Sequence, residues 1–393
     1  MDAYQAALTA VHGRARVAAA LAARPPRGPV YLVALGKAAC AMSQGAVDAL
    51  GDAIADAYVV TKRGHAEPLP WPVREAGHPL PDADSLAAGD GLRAFAMGIP
   101  PDAQVLVLLS GGASALVEAL PAGVTLDDLQ ALNAWLLASG RDIAACNAAR
   151  RALSLIKGGR LAGWFAPRPV RVLAISDVRG DDPAVIASGP LTPPPRDADD
   201  VAALPAAWRR LGVRVPPPDP AWFDTVDYEI VATLDDARQA AAQSLQRDWP
   251  VALHPEFVGG DALAAGRRLA RVLVETAPRI VHVWGGETTV VLPPRPGQGG
   301  RNQSLALAAA IALAGVGRVA LLAAGTDGSD GPTGDAGALI DGGTLERGGL
   351  AGLDAGAALA AADAGSFLAA SGDLIHTGPT GTNVMDLMLG LRL

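Results

Sequence analysis

At 393 residues, half of them apolar and 18% charged, the chain carries too much apolar surface to be disordered. It also exceeds the roughly 250–300 residues that one core holds, so two domains are expected. The balance of 32 Lys plus Arg against 40 Asp plus Glu gives a net charge of −8 without a basic cluster, which excludes nucleic acid as a partner.

Two cysteines, Cys40 and Cys146, make neither a disulfide framework nor a metal spacing, which fits a reducing compartment. With no leader-like N-terminus and no run of about 18 apolar residues, a cytoplasmic protein with no membrane partner is expected. Only three cations are lysines, Lys37, Lys62 and Lys157, so each is worth placing.

Short β-rich runs alternate with Ala/Leu-rich helical stretches, the pattern of an α/β fold with largely parallel sheets. Strands are expected at 30–35, 105–109, 172–175, 280–284 and 319–323, each running into a Gly- or Asp-rich loop. Helices are expected at 126–139, 143–156, 235–246, 261–275 and 302–313, the first with Leu126, Leu129, Leu132, Leu136 and Leu137 as a core stripe. Nine prolines between Gly189 and Pro220 disfavour helix and central strand. They read as a connection between a domain over 1–225 and another over 226–393, or as a long surface loop.

Loops at the carboxyl ends of strands are where open α/β sheets bind ligands. Gly36-Lys37-Ala38-Ala39 follows the first strand, where Lys37 could neutralise a phosphoryl group or a carboxylate. It is not a Walker A loop, because Ala38 replaces the Ser or Thr. Ser110-Gly111-Gly112-Ala113-Ser114 follows the second strand and reads as a phosphate cradle of backbone N–H groups with the hydroxyls of Ser110 and Ser114, or as an ordinary tight turn. On the 143–156 helix, Asn147, Arg150 and Arg151 could line a ligand site, and Lys157-Gly158-Gly159 reads as its C-terminal cap or as a phosphate contact.

Acidic loops supply the complement. Asp177, Asp181 and Asp182 follow one strand and Asp327 and Asp330 another, hard oxygen donors suited to Mg²⁺ or, more plainly, turn and cap residues. Gly286 and Glu287 follow the 280–284 strand, where Glu287 could be an acid/base group or a cap. Arg301, beside a helix start where a cation is unfavourable, reads as a bidentate clamp on carboxylate or phosphate. Gly378-Pro379-Thr380-Gly381-Thr382-Asn383 precedes an apolar stretch read as a final helix packing back on the first domain, and offers Thr380 and Asn383 to an anion.

Nine strings in order resemble the class II glycerate kinases, the D-glycerate 2-kinase family with a C-terminal MOFRL domain: 36–39, 76–79, 109–116, 156–159, 175–190, 285–290, 299–303, 325–334 and 377–385. The resemblance implies a larger Rossmann-like three-layer domain and a smaller α/β domain with the active site in the cleft between them. It implies transfer of the ATP γ-phosphoryl group, with Mg²⁺, to the 2-hydroxyl of D-glycerate, by a monomer or homodimer. Lys37 and Arg301 match the residues central to activity in that family. On this frame Asp177 is a further catalytic candidate. Ser110, Gly111, Gly112, Ser114, Lys157, Gly286, Glu287, Thr380 and Asn383 are candidates for phosphate and nucleotide, and Asp181, Asp327 and Asp330 for metal. Ala113 stands where the family usually has glycine, and Ala145 and Ser304 where it has Glu.

A hydroxypyruvate reductase is the alternative enzyme, but the nearest approach to a dinucleotide fingerprint, Gly315-Val316-Gly317-Arg318-Val319-Ala320, precedes a strand instead of following one. A non-catalytic ligand-binding module is the third reading.

Overall fold

In the computed structural model, which describes residues 1–138, 143–195, 200–211, 213 and 215–393, the chain forms two compact units. One is Gly13–Ala232; the other joins Met1–His12 to Thr233–Leu393.

The Gly13–Ala232 unit holds six strands: β1 (Val30–Leu35), β2 (Ile54–Lys62), β3 (Val73–Ala76), β4 (Gln104–Leu109), β5 (Val170–Ile175) and β6 (Val226–Ala232). They lie in the order β3-β2-β1-β4-β5-β6, every neighbouring pair parallel. In the central strands consecutive residues are buried, Leu32 to Leu35 and Val105 to Leu109 without a break. That is the signature of a parallel sheet covered on both faces, and the reason these runs are continuous instead of alternating. The chain steps outward from β1 to β3, returns to β4 and steps outward the other way. The strand order therefore reverses between β1 and β4, and their carboxyl ends flank the crevice where doubly wound sheets take ligands.

The second unit holds β7 (Val251–Val258), β8 (Val281–Gly286), β9 (Val319–Gly325), β10 (Gly337–Asp341), β11 (Leu374–Ile375) and β12 (Asp386–Arg392). Their order is β11-β10-β9-β12-β8-β7, with β7–β8 parallel and the other neighbouring pairs antiparallel, so this sheet is mixed. Two expectations are corrected here. The stretch after Asn383 is not a closing helix but the central strand β12, with Leu387, Met388 and Leu389 buried in succession. A short apolar run of this kind has the same pattern in a buried strand and a buried helix, so periodicity could not separate them. The N-terminal helix Asp2–Ala10 belongs to this unit as well, where the Tyr4 hydroxyl donates to the Gly325 carbonyl (2.7 Å) and the Val11 carbonyl accepts from Thr382 Oγ1 (2.7 Å).

The proline-rich stretch lies within the first unit, and β6 follows it to complete the parallel sheet. Residues 196–199, 212 and 214 of that stretch, and Ser139 at the end of the expected 126–139 helix, lie outside the described residues. Leu129, Leu132 and Leu136 of the leucine stripe are buried.

On β8, His282 is buried, with Nδ1 2.9 Å from His254 Nε2 and Nε2 3.0 Å from Thr276 Oγ1. Burial, and then His254, lower its pKa from 6.5 to about 4. Above pH 6.5 the ring is neutral folded or unfolded. Below that, the unfolded chain takes up a proton that the folded one refuses, so stability falls as pH drops toward 4. Urea denaturation should show a loss on the order of 2 kcal/mol from this group between pH 7 and pH 5. His282→Gln should flatten that part of the profile, and an unchanged pH dependence in the variant contradicts the assignment.

Candidate active site

The loops after β1 and β4 are tied together at the crevice. The Lys37 N–H donates to the Gly111 carbonyl (2.9 Å) and the Ala38 N–H to Ser110 Oγ (3.0 Å). Gly36 has φ +126°, and a Cβ there would lie 2.3 Å from Ser110 Oγ, so only glycine allows the loops this close. Ser110 is fully buried, and its hydroxyl accepts from the Ala38 N–H, bracing the loop. Gly112 has φ +86°, and a Cβ on it would meet His78 Cδ2 at 3.1 Å and Lys37 Cγ at 3.2 Å. The lysine and the histidine thus converge on this glycine. Ala113 opens the short helix Ala113–Leu116, where no left-handed conformation is required, so a side chain is accommodated at this departure from the family pattern.

A cavity of about 180 Å³ opens beside Gly112, lined among others by His78, Ser114, Glu118, Asn133, Arg150 and Lys157. Ser114 Oγ is 3.0 Å from Ser188 Oγ, which donates to Asn147 Oδ1 at 3.1 Å. Ser188 and Ala187 have φ of 63° and 51°, and Asp181 has 52°. Such left-handed non-glycine residues concentrate where surrounding structure holds a site in shape.

Lys157 has a different role from the one its motif suggested. The helix ends at Ala152, and Lys157 lies in the following turn with its ammonium paired to the Glu118 carboxylate. Both side chains are buried, and Glu118 also accepts from Ser154 Oγ (2.6 Å) and the Ala119 N–H (3.0 Å). This is a satisfied internal ion pair beside the cavity, not a helix cap or an exposed phosphate contact. Arg151 is likewise spent, bonded through Nε and Nη2 to Asp200 at 3.1 and 2.7 Å. Asp177 is half-buried just past the end of β5. The Tyr228 phenol on β6 is raised in pKa by burial and then by Asp177 and Asp182.

The second unit gathers the other predicted residues around Arg301, the first residue of the helix Arg301–Ala312. Arg301 is a bidentate clamp, as its position suggested, but on the chain's own Asp386: Nε to Oδ2 at 2.6 Å and Nη2 to Oδ1 at 2.9 Å. Glu287 Oε1 stands 3.2 Å from Nη2. Burial works against the Arg301 charge, yet Asp386, Glu287 and Asp330 together raise its pKa. Asp386 is fully buried, and in register it faces Gly286 on β8 and Gly325 on β9. Gly286 has no room for a side chain, because a Cβ would lie 2.0 Å from the Val258 carbonyl oxygen. Its glycine is explained by strand packing.

Within the expected metal set, Asp330 also has a structural role. Asp330 is buried and caps the Arg301–Ala312 helix from another loop, Oδ1 accepting from the Asn302 N–H (3.0 Å) and Oδ2 from the Gln303 N–H (2.8 Å). Burial outweighs these bonds and pushes its pKa up to about 7. Asp327 Oδ1 accepts from the Ser329 N–H at 2.9 Å, an Asx turn. Among the described residues, no three His, Cys, Asp or Glu side chains form a group able to hold a metal ion. Thr380 donates to the Thr326 carbonyl, and Asn383 is buried in the same loop cluster.

Sequence reasoning missed Glu118, Asp386 and Tyr4 as members of these clusters, and it placed His78 only within a family string. Asp386 sits within an apolar run and Glu118 just after an expected turn, and only their arginine and lysine partners carried a sequence signal.

Two family descriptions match the chain: a domain of unknown function, DUF4147, over residues 1–217, and the MOFRL family over residues 280–386. The D-glycerate 2-kinase of Thermotoga maritima is 37% identical over 380 residues, covering 92% of this chain and 90% of that protein. The chain belongs to the class II glycerate kinase (MOFRL) family. A crystal structure of glycerate kinase from Thermotoga maritima superposes with a TM-score of 0.84 at 34% identity, covering 100% of this chain and 98% of that one. A protein of Agrobacterium vitis called a putative hydroxypyruvate reductase is 38% identical over 384 residues, covering 92% of this chain and 87% of that protein. Glycerate kinase and hydroxypyruvate reductase names thus both occur within the family. Among the described residues, no helix is long and apolar enough to cross a membrane.

Proposed function

We propose that the protein is an ATP-dependent kinase that transfers the γ-phosphoryl group to the 2-hydroxyl of D-glycerate, giving 2-phosphoglycerate and ADP. The observation that carries this reading is the pair of glycine loops locked together at the reversal of strand order, with Lys37 at their junction. Phosphoryl transfer needs positioning and charge compensation more than covalent help. Lys37 supplies a positive charge for the transferring group, and the N–H groups around Gly111 and Gly112 supply fixed donors. Asp177 is proposed to take the hydroxyl proton as the oxygen–phosphorus bond forms. Arg301, already held by Asp386 and Glu287, is proposed to offer its remaining N–H groups to phosphate, with Thr380 and Asn383 on the nucleotide.

ATP fits the chemistry of the glycine loops. Magnesium bound by protein groups alone does not fit the described residues, since no three suitable side chains converge. An ion carried by the nucleotide needs one or two carboxylates besides phosphate oxygens. Asp181 and Asp327 are each proposed as a candidate within its own unit, and no step is derived through the ion.

The reductase reading is disfavoured by the chain itself. Gly315 and Gly317 precede β9, whereas a dinucleotide loop must follow a strand and open a helix. The test is a coupled assay: D-glycerate with MgATP should release ADP, and hydroxypyruvate should oxidise neither NADH nor NADPH. The reverse pair of results overturns the proposal.

A further inference from the structure

The cavity beside Gly112 contains a cation that, among the described residues, pairs with no carboxylate. Arg150 lines it from the helix Ile143–Ala152, donating from Nε to Asn133 Oδ1 (3.2 Å) and weakly from Nη1 to Asn147 Oδ1 (3.4 Å). Both partners are neutral amides. Among the described residues no Asp or Glu pairs with Arg150, while its neighbour Arg151 is fully taken by Asp200 and Lys157 by Glu118. Burial lowers the Arg150 pKa, against a smaller opposing effect of Cys146.

We infer that Arg150 is the residue that binds the substrate's carboxylate, in the small cavity it shares with Asn133, Ser114, His78 and Gly112. Three features support this. The planar guanidinium, fixed by two asparagine oxygens, keeps its other N–H groups for a bidentate carboxylate. A volume of about 180 Å³ is enough for a three-carbon hydroxy acid. Gly112 borders both the cavity and the Lys37 side chain, so an acid held by Arg150 has its hydroxyl end beside the proposed phosphoryl position. The Glu118 carboxylate on the same wall is neutralised by Lys157 and does not repel the ligand.

This inference rests on the kinase reading for its substrate, a small 2-hydroxy carboxylate. Its test uses the full-length enzyme and two variants, Arg150→Gln and Arg150→Lys, with melting curves to verify folding. Arg150→Gln should raise the KM for D-glycerate by about 100-fold and leave the KM for ATP within about twofold, as expected for losing a charge-assisted pair. Arg150→Lys, which keeps the charge but not the fork, should fall between. Glyceramide, which lacks the negative charge, should be used poorly by the wild type and equally poorly by Arg150→Gln. An unchanged KM for D-glycerate in folded Arg150→Gln overturns the inference while leaving the kinase reading intact. Should the wild type show no kinase activity, calorimetry with D-glycerate alone separates the two claims: binding that Arg150→Gln abolishes supports the carboxylate site, and no binding, or binding that survives the substitution, overturns it.

Discussion

Replacing Lys157 with methionine is expected to destabilise the protein by about 3–5 kcal/mol, the usual result of stranding a buried charge. Glu118 and Lys157 are 1% and 2% exposed, so the carboxylate left behind cannot recover its hydration. It would keep its bonds from Ser154 Oγ and the Ala119 N–H but lose its only cationic partner among the described residues. Substituting both members, Glu118→Leu with Lys157→Met, should recover much of the loss, because well-packed apolar groups often replace a buried pair at little net cost. Chemical denaturation of the two single variants and the double variant measures the coupling. If Lys157→Met proves as stable as the wild type, the ion pair is not what the geometry says it is.

The opposite outcome is expected at Lys37. Lys37→Met should lower kcat by about 10³-fold, the scale of losing one positioned charge at a transferring group. Its effect on stability should stay within about 0.5 kcal/mol. The side chain is half-buried, and the ties that hold the loop run through backbone N–H groups, which the substitution retains. Steady-state kinetics beside a melting curve separate the two effects. Of the three lysines, one is thus expected to serve stability and one is proposed for the reaction, although both lie in glycine-rich strings and look alike in sequence. Lys62 ends β2.

The difference between these two lysines shows what was legible in the sequence. Strand β1 and the glycine loops after β1 and β4 were readable because both signals are local: a continuous apolar run, then residues that free the backbone. The ion-pair partners were not, because they are far away along the chain. Glu118 is 39 residues from Lys157, and Asp386 is 85 from Arg301. A bidentate clamp was predictable at Arg301 from its unfavourable place at a helix start, but nothing local said that its carboxylate was internal. The same limit applies to Asp330. An acidic residue in a Gly-rich loop looks like a metal ligand until the helix it caps from another loop is known. The assignment of 226–232 to the first sheet and of the N-terminal helix to the second unit likewise depends on pairing across the fold.

Arg150 marks the converse case. Its sequence context gave it no more weight than Arg151, and one bond pattern separates them: Asp200 holds Arg151, whereas two amide oxygens hold Arg150. In a half-buried position, an arginine held, among the described residues, by amides retains the capacity to take a carboxylate.

The central claim, phosphoryl transfer to the 2-hydroxyl of a small acid, is tested most directly by incubating the purified protein with MgATP and D-glycerate and identifying the product by phosphorus and proton NMR. The account predicts 2-phosphoglycerate formed in step with ADP. Formation of 3-phosphoglycerate, or consumption of ATP without phosphorylation of the acid, would contradict it.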